Sequence, residues 1–470
     1  MIDLIKGKDV LVVGMARSGV AAAKLLARAG AAKITVTDLK SAAQLRNETN
    51  ELSKYPNVYI MPGGNPPDLV REELSMIIKS PGVPSSLELF KKANELGVPV
   101  FSEVELAYNF SKAPIIGVTG TNGKTTTTAL IGAMLKEASF APVITAGNIG
   151  HPLADAVNGF SAQGMIVAEL SSFQLENIRQ LRSMVAVFLN FTEDHLDYHG
   201  TVEKYFEAKA RIFENQKQGD FAVLNAGDGM VASLAERCRG QILWFARRPV
   251  DFGAGLEDKW ITLYKPGCKP LKLCLRDEVI IPGEHNLENA LASAAAAWAA
   301  GADPQSIGRT LRSFRAIEHR LEYVTNLGGV DYINDSKGTN PDATIRALNS
   351  FPGRGIILIA GGKDKGSDFS SLAETVRERA RLLLLLGETR EKITDSLNKV
   401  GFQSVVAVPD LQEAVHQAAR EARSGEIVLL SPACASWDMF KDYEERGNLF
   451  KKIVLNLQRE CGERRDMNGR

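Results

Sequence analysis

One short stretch near residue 120 constrains the fold of this chain more than any other. Residues Ile115 to Val118 are apolar and of strand type, and Gly120 and Gly123, with small residues between them, interrupt the strand. From Lys124 onward the sequence has the apolar pattern of a helix with one side turned inward. Strand, glycine loop and helix in this order predict a loop whose backbone N–H groups hold phosphate oxygens.

The residues of this loop suit nucleotide binding. Lys124 is expected to reach the terminal phosphates, and the Thr125 hydroxyl is expected to hold Mg²⁺. The match to the phosphate-loop pattern is incomplete, because only two residues separate the glycines. An ordinary glycine-rich turn with a surface lysine is the alternative. The flanking strand and helix favour a nucleotide site built from Gly120, Thr121, Asn122, Gly123, Lys124, Thr125 and Thr126.

Length and composition limit the classes of protein to consider. A chain of 470 residues is too long for one hydrophobic core and predicts roughly two to four domains. A formal net charge of +0 gives no global field that would attract nucleic acid or an anionic membrane. Five scattered cysteines without a Cys-x-x-Cys pair favour a reducing compartment over a disulfide framework or a zinc site. No apolar stretch approaches the ~20 residues of a membrane helix, so we expect a cytoplasmic protein without membrane or nucleic-acid partners.

The first forty residues predict a strand, a helix and a second strand that ends at Asp38. The turn from Gly14 to Gly19 lacks the middle glycine of the dinucleotide-binding pattern, since Ala16 stands there. A dinucleotide site, a plain strand-to-helix turn and a nucleotide-sugar diphosphate at the helix N-terminus all remain open, the last with Asp38 near a uridine or ribose. A later strand runs into Ser80-Pro-Gly at its carboxyl end, where open α/β sheets hold ligands.

Polar residues follow the apolar strands of the middle part of the chain. Glu169 ends one strand, where a carboxylate beside a phosphate loop is expected to bind a metal ion. The next strand is followed by residues 191–199, whose acids and histidines suit a divalent cation, with His195 as the candidate and His199 left on the surface. Lys209 lies on a following helix and faces either this region or solvent.

The last part of the chain again alternates apolar strands with helices, which predicts a parallel sheet. The expected fold class is therefore α/β with three domains. We expect residues 1–105 to form a Rossmann-like domain, residues 106–315 a central phosphate-loop domain with a parallel sheet, and residues 316–470 a second Rossmann-like domain.

An ordered set of motifs along the whole chain resembles the Mur ligase family of ATP-dependent amide-forming enzymes. Any one of them is weakly specific, but seven in order, with matching spacing, are very specific. They are Gly120-Thr-Asn-Gly-Lys-Thr, Glu169-Leu-Ser-Ser-Phe-Gln-Leu-Glu, the segment 190–195, His285-Asn-Leu-Glu-Asn-Ala, His319-Arg320, Asn334-Asp-Ser-Lys-Gly-Thr-Asn and Ser431-Pro-Ala-Cys-Ala-Ser.

The resemblance implies a reaction and a set of site residues. It implies addition of D-glutamate to a UDP-muramoyl-alanine substrate through an acyl phosphate, by a monomer that uses ATP and two Mg²⁺ ions. Catalysis is implied for Lys124, Glu169, His195 and Lys209. The metal ligands implied are Thr125, Glu169, His195 and Lys209, the last carbamylated by CO₂. ATP contacts beyond the loop are implied for Asn289, Arg320, Asp335 and Lys337.

The same resemblance implies where the two other substrates bind. For the UDP-muramoyl substrate the residues implied are Ser18, Asp38, Leu39, Lys40, Ser80, Gly82 and Asn148. For D-glutamate they are Thr339, Lys365, Ser436 and Tyr443. Lys363 competes with Lys365 for its role, and Tyr443 stands where the family often has phenylalanine.

Three other functions are compatible with parts of the sequence. A folylpolyglutamate synthase-like enzyme or another Mur member would share the central domain. A nicotinamide-dependent oxidoreductase would use residues 8–38, although the missing glycine and the second phosphate loop disfavour it. A catalytically silent nucleotide-binding protein is disfavoured by the intact Lys124, Glu169 and His195.

Overall fold

Apolar strands alternate with helices along the chain and assemble into three sheets. The structure, a computed structural model, describes residues 1–148, 150–281, 283–314, 318–364 and 366–468, with side chains up to residue 459. Two units are distinguished by their internal contacts. The first comprises Met1–Glu278 and Glu288–Arg312, and the second comprises Val279–Leu287 and Ser313–Arg470.

The first sheet belongs to the N-terminal part of the first unit. Its elements are β1 (Asp9–Val13), α1 (Arg17–Arg28), β2 (Lys33–Asp38), α2 (Arg46–Leu52), β3 (Val58–Pro62), β4 (Met76–Lys79), α3 (Glu88–Glu95), β5 (Val100–Ser102) and α4 (Glu103–Phe110). The strands are parallel in the order β3-β2-β1-β4-β5. A Cβ added to Gly19 would lie 1.8 Å from the Gly14 carbonyl oxygen, so glycine allows α1 to start directly against the end of β1.

The second sheet carries the glycine loop. Its elements are β6 (Ile115–Thr119), α5 (Lys124–Glu137), β7 (Val143–Gly147), α6 (Leu153–Ala156), β8 (Met165–Glu169), α7 (Ser172–Leu175), β9 (Val185–Phe188), α8 (Leu196–His199), α9 (Val202–Ala210), β10 (Phe221–Asn225), α10 (Gly229–Ala232), β11 (Gln241–Ala246), β12 (Gly253–Glu257), β13 (Trp260–Tyr264), β14 (Leu271–Leu275), α11 (Glu284–Ala299) and α12 (Pro304–Ser313). The strand order is β14-β13-β12-β11-β10-β9-β6-β8-β7. Strands β6 to β12 are parallel, and β13 and β14 add antiparallel pairs at one edge.

The third sheet lies in the second unit. Its elements are β15 (Glu322–Leu327), β16 (Val330–Asn334), α13 (Pro341–Asn349), β17 (Ile356–Ala360), α14 (Ser370–Arg379), β18 (Ala380–Leu385), α15 (Arg390–Lys399), β19 (Val405–Ala407), α16 (Leu411–Glu421), β20 (Ile427–Leu430) and α17 (Tyr443–Asn468). The order is β15-β16-β20-β17-β18-β19, parallel except for the β15–β16 pair. Apolar clusters cover both faces, as a buried parallel sheet requires.

One hydrophobic cluster joins the first two sheets. It contains Val10 and Leu26 from the first sheet and its helix, Leu106 from α4, and Leu153 and Ile166 from α6 and β8. Within the described part of the chain, no helix is both long and apolar enough to cross a membrane. The structure confirms the predicted α/β class with parallel-rich sheets, and the three domain boundaries given above stay a prediction.

Candidate active site

The glycine loop lies at the centre of the second sheet. Strand β6 has β9 and β8 as parallel neighbours, so the loops that follow these three strands meet at one edge. Gly123 has a φ of +85° and caps the start of α5. Lys124 folds back over the loop, where its Nζ donates to the carbonyl oxygens of Gly120 at 2.9 Å and Thr121 at 2.7 Å. The helix start and the lysine are thus held at the same short loop, as phosphate binding requires.

Asn190 holds the loop from the neighbouring strand. Its Oδ1 accepts from the Asn122 backbone N–H at 2.9 Å, and its Nδ2 donates to the Asn122 carbonyl at 3.1 Å. The Thr121 backbone N–H donates to the Asn190 carbonyl at 3.0 Å. Asn190 lies in the motif formed by residues 190–195, and no role was predicted for it from the sequence. The available signal was a polar side chain that ends an apolar strand beside the glycine loop.

Gly123 lies against Asn289 of α11. A Cβ added to Gly123 would lie 2.2 Å from Asn289 Oδ1. We therefore expect Gly123→Ala to lower the free energy of unfolding by about 2–3 kcal/mol, because a steric clash adds to the cost of a positive φ. ADP binding should weaken as well. Urea unfolding measures the loss of stability, and calorimetric titration with ADP measures the loss of affinity.

Gly159→Ala is the matched control for this prediction. Gly159 has a φ of +74°, but no atom in the described part of the chain lies within 4 Å of a Cβ added there. The control should therefore cost only about 1 kcal/mol and leave ADP binding unchanged. Equal losses for the two variants would contradict the predicted clash with Asn289.

Lys209 is buried beneath the loop. It lies on α9 with 2% of its surface exposed, and its Nζ donates to the Gly120 carbonyl at 2.8 Å. The ammonium also lies 4.6 Å from the centroid of the Tyr205 ring. Burial and the nearby charge of Lys124 lower the pKa of Lys209 well below its usual value, against the opposing charges of Asp194 and Glu169. The sequence left this side chain between two orientations, and the structure directs it towards the loop.

Glu169, whose charge acts on Lys209, has a buried carboxylate oxygen. The residue ends β8 with 2% of its surface exposed, and its Oε1 accepts from Asn148 Nδ2 at 3.1 Å. Its Oε2 is buried and has no hydrogen-bond partner among the described residues. A buried unpaired carboxylate oxygen is costly, and a cation would compensate for it. The residues at this position therefore fit a divalent metal ion.

His195 directly precedes the single-turn helix α8 and has a φ of +54°, in the left-handed region that is uncommon for non-glycine residues. Its ring centroid lies 4.9 Å from that of Phe173, and its Nε2 lies 3.6 Å from Asp194 Oδ2. His199 was expected on the surface, and this expectation is wrong. Its side chain is buried beside α7, with Nε2 at 3.0 Å from Ser172 Oγ.

The nearby carboxylates and histidines do not form a dense metal-binding cluster. Across the residues whose positions the structure gives, no three His, Cys, Asp or Glu side chains come together as ligands. A Mg²⁺ ion usually keeps several water and phosphate ligands and takes only one or two carboxylates from a protein. The site is therefore suited to an ion that arrives with a nucleotide. Thr125 and Thr126 are buried in the first turn of α5 beside it.

The predicted residues for the UDP substrate lie at the carboxyl edge of the first sheet. Asp38 ends β2, and its carboxylate accepts from the backbone N–H groups of Met15 at 2.6 Å and Lys40 at 2.8 Å. Ser80 Oγ donates to the Gly14 carbonyl at 2.9 Å. These bonds bring together the carboxyl ends of β1, β2 and β4. The predicted residues lie there, at the end of β2, in the first turn of α1 and in the loops after β2 and β4: Ser18, Asp38, Leu39, Lys40, Ser80 and Gly82.

A buried acid and an arginine occupy the corresponding edge of the third sheet. Asp335 follows β16, and its Oδ2 accepts from Ser431 Oγ at 2.7 Å while its Oδ1 accepts from the Leu321 N–H at 3.3 Å. Burial raises the pKa of Asp335 to about 6, although Arg320 opposes the shift. The Arg320 Nε is buried and finds no acceptor in the part of the chain that is described. This unpaired donor fits an anionic ligand.

The raised pKa of Asp335 gives a prediction for stability. The pKa of Asp335 is about 6 in the folded state and 3.8 in the unfolded state. Between these pH values the folded state binds more protons than the unfolded state, so the protein loses stability as the pH rises through them. We expect wild type to lose roughly 3 kcal/mol relative to Asp335→Asn between pH 4 and 7. Urea unfolding of the two proteins across this range measures the difference.

Asp331→Asn serves as a control with the opposite sign. Burial opposes ionisation of this carboxyl, yet hydrogen bonds from Asn326 and Arg354 lower its pKa overall. Its carboxylate therefore stabilises the fold above its unfolded pKa, and that contribution disappears as pH falls through the folded value. If the stability of wild type relative to each variant changed with pH in the same direction for both, the raised pKa assigned to Asp335 would be contradicted.

Lys337 lies beside the aromatic ring that was predicted to contact the amino acid. Its Nζ is 5.3 Å from the centroid of the Tyr443 ring. The Tyr443 hydroxyl donates to Glu444 Oε1 at 3.2 Å. The ring, which a phenylalanine would also supply, therefore faces the lysine, and the hydroxyl has an acceptor on the adjacent residue.

Of the two competing lysines, Lys363 forms an ion pair with Glu388 at 2.7 Å. Lys365 lies outside the described residues. Thr339 is half-buried and Ser436 is buried, both in loops at the carboxyl edge of the third sheet. The choice between the two lysines stays a prediction.

Comparison with known proteins gives two matches to protein families. Residues 118–297 match the Mur ligase middle domain, and residues 319–434 match the Mur ligase glutamate ligase domain. The first segment contains the glycine loop, Glu169 and Lys209, and the second contains Arg320 and Asp335.

Individual relatives cover nearly the whole chain. It is 47% identical to the UDP-N-acetylmuramoylalanine--D-glutamate ligase of Pelotomaculum thermopropionicum, across 96% of this chain and 98% of that protein. The ligase of the same name from Clostridioides difficile is 45% identical across 97% of this chain and 100% of that protein. The fold is similar to that of a MurF ligase from Thermotoga maritima in complex with ADP, with a TM-score of 0.60, 17% identity, and coverage of 97% of this chain and 100% of that one. The chain therefore belongs to the Mur ligase family.

Proposed function

We propose that this chain joins D-glutamate to UDP-N-acetylmuramoyl-L-alanine while ATP is cleaved to ADP and phosphate. The proposal is carried by the near-complete alignment with two ligases that bear this name, at 47% and 45% identity. Family membership makes the chain an ATP-dependent amide-forming ligase, and the proposed product is a precursor of peptidoglycan. The intact loop lysine, the buried Glu169 and the buried Lys209 support an active enzyme.

The proposed reaction must bring two anions together. The muramoyl-alanine carboxylate attacks the γ-phosphate of ATP, and the amine of D-glutamate then displaces phosphate from the resulting acyl phosphate. Such reactions depend on positioning and on neutralisation of charge. The basic side chains proposed for this purpose are Lys124, Arg320 and Lys337. The unpaired Nε of Arg320 among the described residues supports its part in the proposal.

Mg²⁺ is proposed as the accompanying metal ion, with two ions per site. When bound, it would neutralise phosphate charge and orient the reacting oxygens. The chain's own ligands would be Thr125, Glu169, His195 and a carbamylated Lys209. The buried Glu169 Oε2, which has no donor in the described structure, supports this set. Asn148 holds the other oxygen of the same carboxylate and so fixes its orientation.

Carbamylation of Lys209 is proposed on chemical grounds. A neutral amine adds to CO₂, forms an N–C bond and releases one proton, which turns the neutral group into a carboxylate-like anion. The lowered pKa of Lys209 favours the neutral amine that this addition needs. The resulting anion would supply the metal ligand that the nearby carboxylates alone do not provide.

The remaining site residues are proposed to bind the three substrates. Uridine diphosphate and muramoyl contacts are assigned to Ser18, Asp38, Leu39, Lys40, Ser80, Gly82 and Asn148. Contacts to ATP are assigned to Gly120, Thr121, Asn122, Gly123, Lys124, Thr125, Thr126, Asn289, Arg320, Asp335 and Lys337. Contacts to D-glutamate are assigned to Thr339, Lys365, Ser436 and Tyr443. The bonds that join the loops after β1, β2 and β4 support the first group.

Phosphate release with a panel of amino acids tests the proposal. The assay contains ATP, Mg²⁺ and UDP-N-acetylmuramoyl-L-alanine, with D-glutamate, L-glutamate, L-alanine, L-lysine or diaminopimelate. We expect release, and a product heavier by one glutamyl residue, with D-glutamate alone. Preference for another amino acid, or release only with a folate and L-glutamate, would replace the proposal by a related ligase. A nicotinamide fluorescence change on titration would instead support an oxidoreductase.

We also propose that the chain acts in the cytoplasm, where nucleotide-linked substrates and ATP are made, and that it acts as a monomer. Light scattering during size-exclusion chromatography measures its mass in solution against the 51.0 kDa of one chain.

A further inference from the structure

A buried lysine that none of the proposed roles uses lies between the first and second sheets. Lys79 ends β4 and directly precedes Ser80, and only 2% of its side chain is exposed. Its Nζ donates to Glu176 Oε2 at 2.8 Å and to the Tyr198 hydroxyl at 2.5 Å, and it contacts the Ser85 hydroxyl. One ammonium group thus binds residues from both sheets. We name Lys79, Ser85, Glu176 and Tyr198 the Lys79 cluster.

The partners of Lys79 in the second sheet lead directly to His195. Tyr198 lies on α8, three residues after His195, and its backbone N–H donates to the His195 carbonyl at 3.1 Å. The Phe173 ring of α7 contacts both side chains, with centroid distances of 4.6 Å to Tyr198 and 4.9 Å to His195. The Tyr198 hydroxyl also donates to Glu176 Oε2 at 2.8 Å. The cluster therefore fixes α8 through the side chain of Tyr198.

The other end of the cluster is the substrate turn. The Ser80 backbone N–H donates to the Val13 carbonyl at 2.9 Å, and its hydroxyl donates to the Gly14 carbonyl at 2.9 Å. Lys79 is thus one residue from the turn that is proposed to bind the UDP substrate. The same side chain also holds α8, the helix that directly follows His195.

The polar character of the cluster needs an explanation beyond stability. A buried ammonium is costly, and apolar residues of similar size would stabilise such a contact at least as well. Burial lowers the pKa of Lys79, while Glu176 opposes the shift. Hydrogen bonds fix directions and distances in a way that apolar contacts do not, so the cluster specifies one relative position of the two sheets.

We propose that Lys79 is a positioning residue for the ligase reaction. It holds α8, and through it His195, at a fixed distance from the Ser80 turn, so that the substrate bound at the turn meets the phosphate loop in register. This inference rests on the proposed function, because it uses the roles given there to His195 and the Ser80 turn. Misplacement of about 1 Å between reacting groups costs about 100-fold in rate.

The full-length Lys79→Met variant tests the proposal, with Lys24→Met as the matched control. Lys24 also joins the two sheets, through an ion pair with Asp155 at 3.2 Å, but this pair involves α1 and α6 rather than α8. We expect Lys79→Met to lower kcat by about 100-fold while KM for ATP changes less than about 3-fold. Amide hydrogen exchange of residues 195–199 should become faster in this variant. Lys24→Met should alter neither kcat nor that exchange.

Tyr198→Phe keeps the ring and removes only the hydroxyl that Lys79 contacts, so it carries the test if Lys79→Met does not fold. Both single variants should lower kcat, and the double variant should have the same kcat as Lys79→Met alone, because the two changes remove the same contact. Additive losses, or loss of kcat without faster exchange at residues 195–199, would overturn the proposal. Amide exchange is measured without substrates and therefore tests whether Lys79 holds α8, whatever the reaction is. Inactivity of the wild type towards D-glutamate would instead refute the proposed function.

Discussion

Lys124→Ala is expected to abolish ATP-dependent phosphate release. Its ammonium is the positive charge that lies directly over the loop from Gly120 to Gly123. In phosphoryl transfer, loss of such a charge removes stabilisation of the transition state, and we expect kcat/KM to fall at least about 1000-fold, or about 4 kcal/mol. The fold should persist, because the side chain is half-buried and the carbonyl of Gly120 also accepts from Lys209. Phosphate release and circular dichroism measure the two outcomes.

The control for this variant lies on the same helix. Lys136 is exposed in the last turn of α5, at the opposite end of the helix from the loop. Lys136→Ala should keep full activity, which separates loss of the loop charge from a general effect of removing a lysine from α5. Substantial phosphate release by Lys124→Ala, with a normal circular dichroism spectrum, would contradict the nucleotide site at this loop.

Lys209→Ala is the second change with a large expected effect. The variant should be inactive, because it loses the group that carbamylation would turn into a metal ligand. Acetate or formate in the buffer should restore part of the activity, since a short carboxylate can enter the space that the side chain leaves. Activity measured over a series of acetate concentrations, with chloride at the same ionic strength for comparison, tests this expectation.

A matched variant separates the chemistry of Lys209 from its position on the helix. Lys204 lies on α9 as well, but its side chain is exposed, so Lys204→Ala should stay active and show no response to acetate. Full activity of Lys209→Ala without added carboxylate would rule out the carbamate. If Lys209→Ala is inactive and acetate does not restore activity, the carbamate is also contradicted. Lys209 would then be an unmodified buried lysine that donates to the Gly120 carbonyl.

The parallel strands were the most predictable part of the fold. The predicted strands Lys33–Asp38 and Met165–Glu169 coincide with β2 and β8. Both strands end in an acid. Strand β8 is a short apolar run of the kind that parallel sheets bury on both faces, and β2 alternates Ile34 and Val36 with threonines. Because the site residues follow these strands directly, the meeting of the glycine loop with Glu169 could also be predicted.

The features that the sequence did not reveal depend on tertiary contacts. The antiparallel edge formed by β13 and β14 was not predicted, because the charged and polar residues around those strands obscure any apolar pattern. His199 was assigned to the surface because α8 is a single turn, too short to show a buried side. The side chains of Asn190 and Asn148 bond across strands, to Asn122 and Glu169, and no local pattern gives such pairs.

The hydrophobic cluster shared by the first two sheets has a consequence for attempts to divide the protein. Leu26 of α1 and Leu153 of α6 belong to the same buried cluster, so each sheet completes its interior with side chains from the other. A fragment cut in the connection after α4 would leave apolar surface in contact with water and would aggregate. We therefore expect the two N-terminal sheets to unfold in one cooperative transition and to fold only when they are expressed together.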